Sequence, residues 1–289
     1  MLKPIREWTA KDVLRLRPVT QAYKIARYAH HDRRYRAQAG DPAQLAAVRA
    51  AITGRKTAVT IAFRDAEVID WQIRLIRKYL PSLVHVIADN SPTDSAAATI
   101  RTAAERHGCP YVRLPRNPST GNNPSRSHGL AMNWVWQNAL LPAAPTAFGF
   151  LDHDIFPTAP DDPFATLAGL SFFGDVREAG GRWYLWAGYC FFDFERIRRA
   201  PLDFRPDWFI GLDTGGGNWV PLYSRFDRAK LPERKVETLR AFEDVPQDIA
   251  YYASHGTWLH EVGVGSDPAF KSRKRVLTAR LLAPCLEGT

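Results

Sequence analysis

The chain has 289 residues, of which 45% are hydrophobic and 24% charged, and this ordinary globular composition argues against a disordered chain and against a fibrous repeat. The net charge of +9 is unevenly placed: residues 1–56 carry 13 basic and four acidic side chains, whereas residues 57–289 carry 26 of each sign. A balanced body does not offer the broad basic surface that nucleic-acid binding needs, so we expect no nucleic-acid partner.

The cysteines and the hydropathy pattern indicate the compartment. Cys109, Cys190 and Cys285 are widely spaced and form no CxxC pair, which argues against a disulfide framework or a thiolate zinc site and favours a reducing compartment. The sequence starts without an apolar signal region, and no apolar run reaches the roughly 20 residues of a membrane span. We therefore expect a cytoplasmic protein, with peripheral contact to an anionic membrane through the basic segment left open.

The first 56 residues predict a helical extension. Residues 21–36 mix Tyr and Ala with basic side chains, and Asp41 followed by Pro42 is typical of a helix start. An Ala-rich stretch then runs to Ile52 and is ended by Gly54. The extension can be a solvated appendage or a docking segment.

From Thr57 onward, apolar runs and helix-length segments alternate. Strands are predicted at residues 57–63, 83–88, 111–114 and 146–151, and helices at residues 66–80, 94–107 and 125–140. This alternation predicts an α/β fold, with a Rossmann-like, mostly parallel sheet flanked by helices. Ligands of such sheets bind beyond the carboxyl ends of the strands, so polar residues directly after a strand are the candidates for function.

Two carboxylates directly after the fourth strand are the most informative of these residues. Asp152 and Asp154 stand at i and i+2, so on extended backbone they point to the same side. Such a pair can share a hard cation that prefers oxygen ligands, Mg²⁺ or Mn²⁺. A DxD pair is often no more than a solvated turn, but its position after an apolar strand favours a metal site.

Three segments in order, residues 59–63, 86–94 and 150–154, resemble the donor-binding half of family 2 glycosyltransferases of the GT-A fold. Residues 127–133 are similar to the small-residue helix of that family, and residues 258–266 to its late His-x-x-Gly-x-x-Ser segment. The resemblance implies a metal-dependent enzyme that uses Mn²⁺ or Mg²⁺. It would move a sugar from a nucleotide-sugar donor to a glycan, lipid or other hydroxyl acceptor, with inversion.

The resemblance also implies a division of the chain and roles for single residues. Residues 57–156 would bind the nucleotide sugar, and residues 157–289 would bind the acceptor and include the C-terminal segment. In the metal site, Asp154 would bind the cation, Asp152 the cation or the ribose, and His260 the cation or the diphosphate. A purely structural role for His260 is the alternative.

Donor recognition is expected from residues that follow the strands or begin the 125–140 helix. The predicted donor-binding residues are Phe63, Arg64, Asp89, Asn90, Arg126, Ser127 and Asp152. In this set Asp89 would read the nucleobase, and a capped turn is its alternative. Arg64 and Arg126 could reach phosphate or base, with surface ion pairs equally open. His128, His153 and His255 are interpreted as structural.

The acceptor half offers a general base and an aromatic surface. Asp213, which opens a glycine-rich turn, is preferred as the base over the pair Glu243 and Asp244, although the Glu-Asp pair usual in the family is missing here. Aromatic residues within 183–194 could stack on sugar or fill the core, and among the neighbouring aromatics we expect Trp186 and Trp219 to be exposed.

Other protein classes fit less well. Residues 213–215 match the aspartic-protease signature, but that chemistry needs two such carboxylates and the sequence has one copy. A sugar nucleotidyltransferase would need a glycine-rich loop after the first strand, where residues 64–67 are Arg-Asp-Ala-Glu instead. A catalytically silent nucleotide-sugar-binding protein is the non-enzymatic alternative, and the intact DxD pair argues against it.

Overall fold

The computed structural model describes residues 3–232, 234–262 and 267–289, and it contains two sheets. The strands are β1 Lys56–Ala62, β2 Val84–Asp89, β3 Tyr111–Arg113, β4 Ala147–Asp152, β5 Ile155–Pro157, β6 Phe172–Ala179, β7 Arg182–Asp193, β8 Val236–Arg240, β9 Tyr251–His255 and β10 Trp258–His260. The helices are α1 Ala10–Leu14, α2 Arg17–Arg36, α3 Pro42–Ile52, α4 Ala66–Tyr79, α5 Asp94–Arg106, α6 Pro124–Val135, α7 Leu141–Ala143, α8 Pro163–Thr166, α9 Phe194–Ile197, α10 Gln247–Ala250 and α11 Pro268–Leu286.

The main sheet has the strand order β3-β2-β1-β4-β7-β6. Its first four strands are parallel, and β7 and β6 join antiparallel beyond β4. Helices cover both faces: residues of α4 and α5 pack on one side of β1 and β2, and residues of α3 and α6 on the other. The predicted α/β fold with a mostly parallel, helix-flanked sheet is confirmed, and so are the four predicted strands. Since strands covered on both faces are apolar throughout, their signal in the sequence was strong.

The N-terminal segment contributes to the core of this body. Tyr35 of α2 and Val48 and Ile52 of α3 are buried in the same hydrophobic cluster as the inner face of the main sheet. Trp134 of α6 also donates its indole N–H to the carbonyl of Gln38 at 3.0 Å. The segment is therefore not a solvated appendage, because its removal would expose part of the core.

The second sheet brings the late part of the chain to the end of β4. Its order is β5-β10-β9-β8, all antiparallel, and His260 of β10 pairs in register with Ile155 of β5. Helix α11 follows and packs on α4. Within the described residues, every helix is too short or too polar to cross a lipid bilayer. The second sheet thus places a histidine beside the DxD turn.

A buried polar triad lies between β1, β2 and α4. Thr60 donates to Gln72 Oε1 at 2.7 Å, and its hydroxyl lies 2.9 Å from Nε2 of His85. Burial disfavours the charged imidazole and lowers the pKa of His85 from 6.5 to about 3. The folded protein therefore keeps His85 neutral over a pH range in which the unfolded chain would protonate it.

We expect this histidine to make the fold acid-sensitive. Between pH 6.5 and 3 the unfolded state binds one more proton at this residue, so the free energy of unfolding falls as the pH falls, by up to about 1.4 kcal/mol per pH unit. Urea unfolding at pH 7, 6 and 5 measures the slope, and His85→Gln should reduce it by this amount. An unchanged slope in the variant would contradict a neutral buried His85.

Candidate active site

The turn that carries the DxD pair is held on both sides. The fully buried Gln72 donates its amide N–H groups to the carbonyls of Asp152 at 2.7 Å and Ile155 at 2.8 Å. The backbone N–H of Glu261, just after β10, donates to the carbonyl of Asp154 at 2.9 Å. These bonds fix the backbone of both carboxylates, so the turn is pre-organised before any ligand binds.

Asp152, Asp154 and His260 form a cluster that can hold a metal ion. One potential ligand atom from each residue lies within 4.8 Å of the others. Asp154 Oδ1 lies 3.5 Å from His260 Nε2, and the buried Nδ1 of His260 has no hydrogen-bond partner among the described residues. Two carboxylate oxygens and one imidazole nitrogen suit Mn²⁺ and also accept Mg²⁺, so the residues present fit such an ion.

The protonation of the pair Asp154 and His260 supports this cluster. Burial alone would raise the pKa of Asp154 and lower that of His260. Their mutual hydrogen bond and charge attraction outweigh it, so the pKa of Asp154 lies well below its ordinary value and that of His260 above it. At neutral pH Asp154 is therefore a carboxylate, which is the form that binds a cation, and His260 would release its proton when its Nε2 binds one.

His128 and Trp186 complete the surroundings of the carboxylates. His128 Nδ1 lies 3.1 Å from Asp152 Oδ1, so this histidine, which the sequence led us to interpret as structural, contacts a candidate metal ligand directly. Trp186 is half-buried, with its ring 4.7 Å from that of His260. A Cβ at Gly188 would lie 2.6 Å from Asp152 Oδ2 and 2.3 Å from the Trp186 ring, so only glycine fits there.

A cleft of about 310 Å³ opens next to this cluster, and we call it the central cleft. The predicted site residues Phe63, Asn90, Ser127, Asp152, Asp154 and Asp213 line it. His128, His153, Trp186 and Thr214 also line it. The carboxyl ends of β1, β2 and β4 thus meet the glycine-rich turn at one opening, which is large enough to hold part of a small ligand.

One wall of the central cleft is a network of amides. Asn90 donates to Ser127 Oγ at 3.0 Å, and Asn117 donates to the Ser127 carbonyl at 2.8 Å and to Asn90 Oδ1 at 3.2 Å. All three side chains are buried. The network joins β2, the loop before α6 and the first turn of α6, and it holds this wall in one shape.

Asp213 reaches the central cleft from the opposite half of the chain. Its side chain is exposed, and the next residue, Thr214, donates its hydroxyl to the Ser125 carbonyl at 3.1 Å. Gly215 has φ +96°, and a Cβ there would lie 2.3 Å from the carbonyl oxygen of Leu185, so this turn requires glycine.

The other candidate base lies elsewhere. Glu243 and Asp244 are exposed and do not line the cleft, whereas Asp213 does. The predicted late-motif residues Gly263 and Ser266 lie outside the described residues.

Three predicted donor-binding residues do not line the central cleft. Asp89 is fully buried, and its carboxylate accepts from the Ser91 N–H and the Tyr111 hydroxyl, each at 2.8 Å, as in the capped-turn alternative. Arg64 has φ +61°, and its backbone N–H donates to Ser91 Oγ at 2.9 Å.

Arg126 also points away from the cleft. Its guanidinium pairs with the fully buried Asp32 and lies 4.0 Å from the centroid of the Tyr28 ring, both on α2. The side chains of Asp89 and Arg126 are thus paired within the protein, whereas the exposed Arg64 guanidinium lies 5.0 Å from the centroid of the Phe63 ring.

Comparisons with known proteins give only distant likenesses. No family model and no curated protein matches the chain. Among solved structures, the mannosyltransferase PcManGT from Pyrobaculum calidifontis, in complex with GDP-Man and Mn²⁺, is 17% identical over 63% of this chain and 57% of its own, with a TM-score of 0.37. The galactosyltransferase LgtC, with donor and acceptor sugar analogs, is 12% identical over 75% and 82%, with a TM-score of 0.42.

A third solved structure is more distant still. S. aureus TarS is 16% identical over 42% of this chain, with a TM-score of 0.29, and this chain spans only 20% of its length. At TM-scores below 0.5, none of these likenesses establishes a family for this chain.

Proposed function

We propose that this protein is a metal-dependent glycosyltransferase of the GT-A type that binds a nucleotide-sugar donor in the central cleft. The observation that carries the proposal is the meeting of Asp152, Asp154 and His260, within 4.8 Å, at the carboxyl end of a parallel sheet and beside an open cleft. Residues 57–156 would bind the donor, residues 157–289 the acceptor, and residues 1–56 would form an extension that packs on both.

The charge chemistry of the cluster suits this reaction. Displacing a diphosphate from an anomeric carbon develops negative charge on the leaving oxygens, and a Mn²⁺ or Mg²⁺ ion held by Asp152, Asp154 and His260 would supply several kcal/mol of stabilisation there. His128 keeps the Asp152 carboxylate in place through their 3.1 Å contact. Asn90 and Ser127, fixed by Asn117, offer polar atoms to the nucleoside, and the Phe63 ring offers it an apolar surface.

Asp213 is the proposed general base. As the acceptor oxygen forms its bond to the anomeric carbon and the bond to the diphosphate breaks on the opposite side, Asp213 takes the hydroxyl proton, and the configuration inverts. Its side chain is exposed, and its place on the lining of the central cleft gives it access to the acceptor. Asp89 would act indirectly, by fixing the turn that presents Asn90.

Binding of a nucleoside diphosphate tests the donor site. We expect at least one of UDP, GDP, ADP, CDP and dTDP to raise the Tm, and only when Mn²⁺ or Mg²⁺ is present, because a ligand at 100 times its Kd adds about 2.7 kcal/mol of stability. Asp213→Asn should keep this shift and lower transfer and donor hydrolysis by about 10²- to 10⁴-fold.

The possible outcomes separate the alternatives. If no nucleotide raises the Tm in the presence of metal, the proposal of a donor site in the central cleft is refuted. A shift without hydrolysis or transfer of the matching nucleotide sugar to any hydroxyl acceptor would favour the catalytically silent alternative. Full activity in Asp213→Asn would remove only this choice of base.

We also propose that the start of the extension docks on an anionic membrane, where a lipid-linked acceptor would be found. Five large apolar side chains between residues 13 and 23 are 55% to 83% exposed: Val13, Leu14, Leu16, Val19 and Tyr23. Basic residues alternate with them at Lys11, Arg15, Arg17, Lys24 and Arg27. Exposed apolar groups among cations match the boundary of an anionic bilayer.

Vesicle sedimentation tests this contact. We expect binding to vesicles containing phosphatidylserine and not to pure phosphatidylcholine, since each Lys or Arg near an anionic surface adds about 1 kcal/mol. The double variant Leu14→Glu/Leu16→Glu should abolish binding, whereas the control Val276→Glu, which changes an apolar residue 62% exposed on α11, should not. Equal binding of both variants, or a patch that mediates only self-association, would refute the proposal.

A further inference from the structure

A second cavity, of about 260 Å³, lies between α2 and the chain at residues 203–220. It borders the central cleft across a thin wall: Ser125 and Thr214 line the cleft, whereas their near neighbours Arg126 and Gly216 line the second cavity. The Thr214 hydroxyl donates to the Ser125 carbonyl at 3.1 Å and ties the two sides of the wall together. The second cavity therefore adjoins the part of the central cleft that Asp213 and Thr214 line.

The lining of the second cavity combines aromatic rings with planar charged groups. Tyr28, Phe209 and Trp219 supply the rings, and Arg126, Asp203, Arg205 and Asp207 supply the charged groups. The C–H faces of a sugar ring pack on aromatic rings, and its hydroxyls both donate to carboxylates and accept from guanidinium groups. With two groups of each sign, the cavity suits an uncharged ligand rich in hydroxyls better than a phosphate.

The charged groups of this cavity are held in place without a ligand. The fully buried Asp32 pairs with both Arg126 and Arg205. Arg205 Nε donates to both oxygens of Asp203, at 2.7 and 2.9 Å. Asn133, on α6, donates to Asp203 at 2.9 Å. Pre-organised groups of this kind lower the entropic cost of binding a small polar ligand.

We propose that the second cavity binds a sugar unit of the acceptor, adjacent to the unit whose hydroxyl reaches Asp213. This inference rests on the proposed glycosyltransferase function, and it makes the acceptor a glycoside of at least two units. It also gives the N-terminal extension a part in the site, because Tyr28 and Ala29 of α2 line the cavity.

Saturation-transfer-difference NMR on the full chain tests the proposal with methyl glycosides of glucose, galactose, mannose and N-acetylglucosamine and their disaccharides. Mg²⁺, which is diamagnetic, and the best nucleoside diphosphate are added to saturate the central cleft. We expect at least one sugar to bind with a Kd on the order of millimolar. Trp219→Ala should weaken that binding at least tenfold, and the control Trp208→Ala, which removes a 46% exposed neighbour outside the lining, should not.

A second variant guards against misfolding, because Trp219 also packs on Trp183. Ala29→Leu removes no contact, keeps a good helix former in α2 and fills the cavity, so it too should abolish binding. No binding of any sugar, or binding kept in both variants, overturns the inference. Nucleotide binding without sugar binding would refute only the proposal that the second cavity binds a sugar. Sugar binding without nucleotide binding would refute only the proposed donor site.

Discussion

Asp154→Ala should remove the Tm shift caused by metal and nucleoside diphosphate and lower donor turnover at least a hundredfold. Asp154 is half-buried, like the other two members of the cluster, and its Oδ1 lies 3.5 Å from His260 Nε2. Without Asp154, two candidate ligands are left. One of them, Asp152, also contacts His128 at 3.1 Å, and this contact competes with metal binding. Since the proposed cation supplies several kcal/mol to the leaving diphosphate, weaker metal binding should appear directly in the rate.

The fold itself should tolerate this change. When Asp154 is removed, His260 can lose its proton instead of remaining as an unpaired buried charge, so we expect the metal-free Tm to change by only a few degrees. Asp244→Ala, which removes an exposed carboxylate outside the cleft, is the matched control and should behave like the unmodified protein. A metal-dependent shift of normal size in Asp154→Ala would remove the cluster as the metal site.

The parallel part of the fold could be predicted from the sequence because burial on both faces leaves a local signal. The predicted strands at residues 57–63 and 146–151 differ by one residue at each end from β1 and β4. The second sheet leaves almost no local signal in the sequence, because β5 and β10 are three residues each and pair across about a hundred residues of chain. Its formation depends on long-range packing.

The candidate site also has a part that could be predicted from the sequence and a part that could not. Asp152 and Asp154 were predicted from their position after the fourth strand and His260 was added from the resemblance; the structure brings the three together, while their roles stay predictions. The contact of His128 with Asp152 depends on how α6 packs beside β4, although its place on the predicted ligand edge was a usable signal. For Asp89, the signal of a side-chain-capped turn was the Asp itself at the end of a strand, since its carboxylate accepts from the backbone N–H two residues later.

The pairing of Arg126 is a long-range contact that the sequence did not reveal. Its partner Asp32 is 94 residues away, so local pattern cannot show it. The inward face of α2 could nevertheless be predicted from the spacing of its residues. The residues at alternating steps of four and three are Gln21, Ile25, Tyr28, Asp32 and Tyr35, and all five are buried or half-buried. An acidic residue within such a stripe predicts a buried cation opposite it, because an unpaired buried charge is costly.

Asp32→Ala should destabilise the protein by about 3–5 kcal/mol, because it leaves Arg126 and Arg205 as cations without their shared buried carboxylate. Arg205 keeps Asp203 as a hydrogen-bonded partner, whereas Arg126 keeps the face of the Tyr28 ring and the charge of Asp203 without a hydrogen bond. For a chain of this length the loss corresponds to a decrease in Tm on the order of 10 °C. Thermal unfolding followed by circular dichroism measures it.

A matched control and a rescue variant show whether charge is the cause. Asp41→Ala removes an exposed helix cap of α3 and should cost about 1 kcal/mol. Adding Arg126→Met to Asp32→Ala removes one unpaired cation and should restore part of the lost stability. A loss below 1 kcal/mol in Asp32→Ala, or no restoration, would mean that apolar packing through Tyr35 alone holds α2 to the body. Restoration would mean that the buried ion pairs also fix the helix that lines the second cavity.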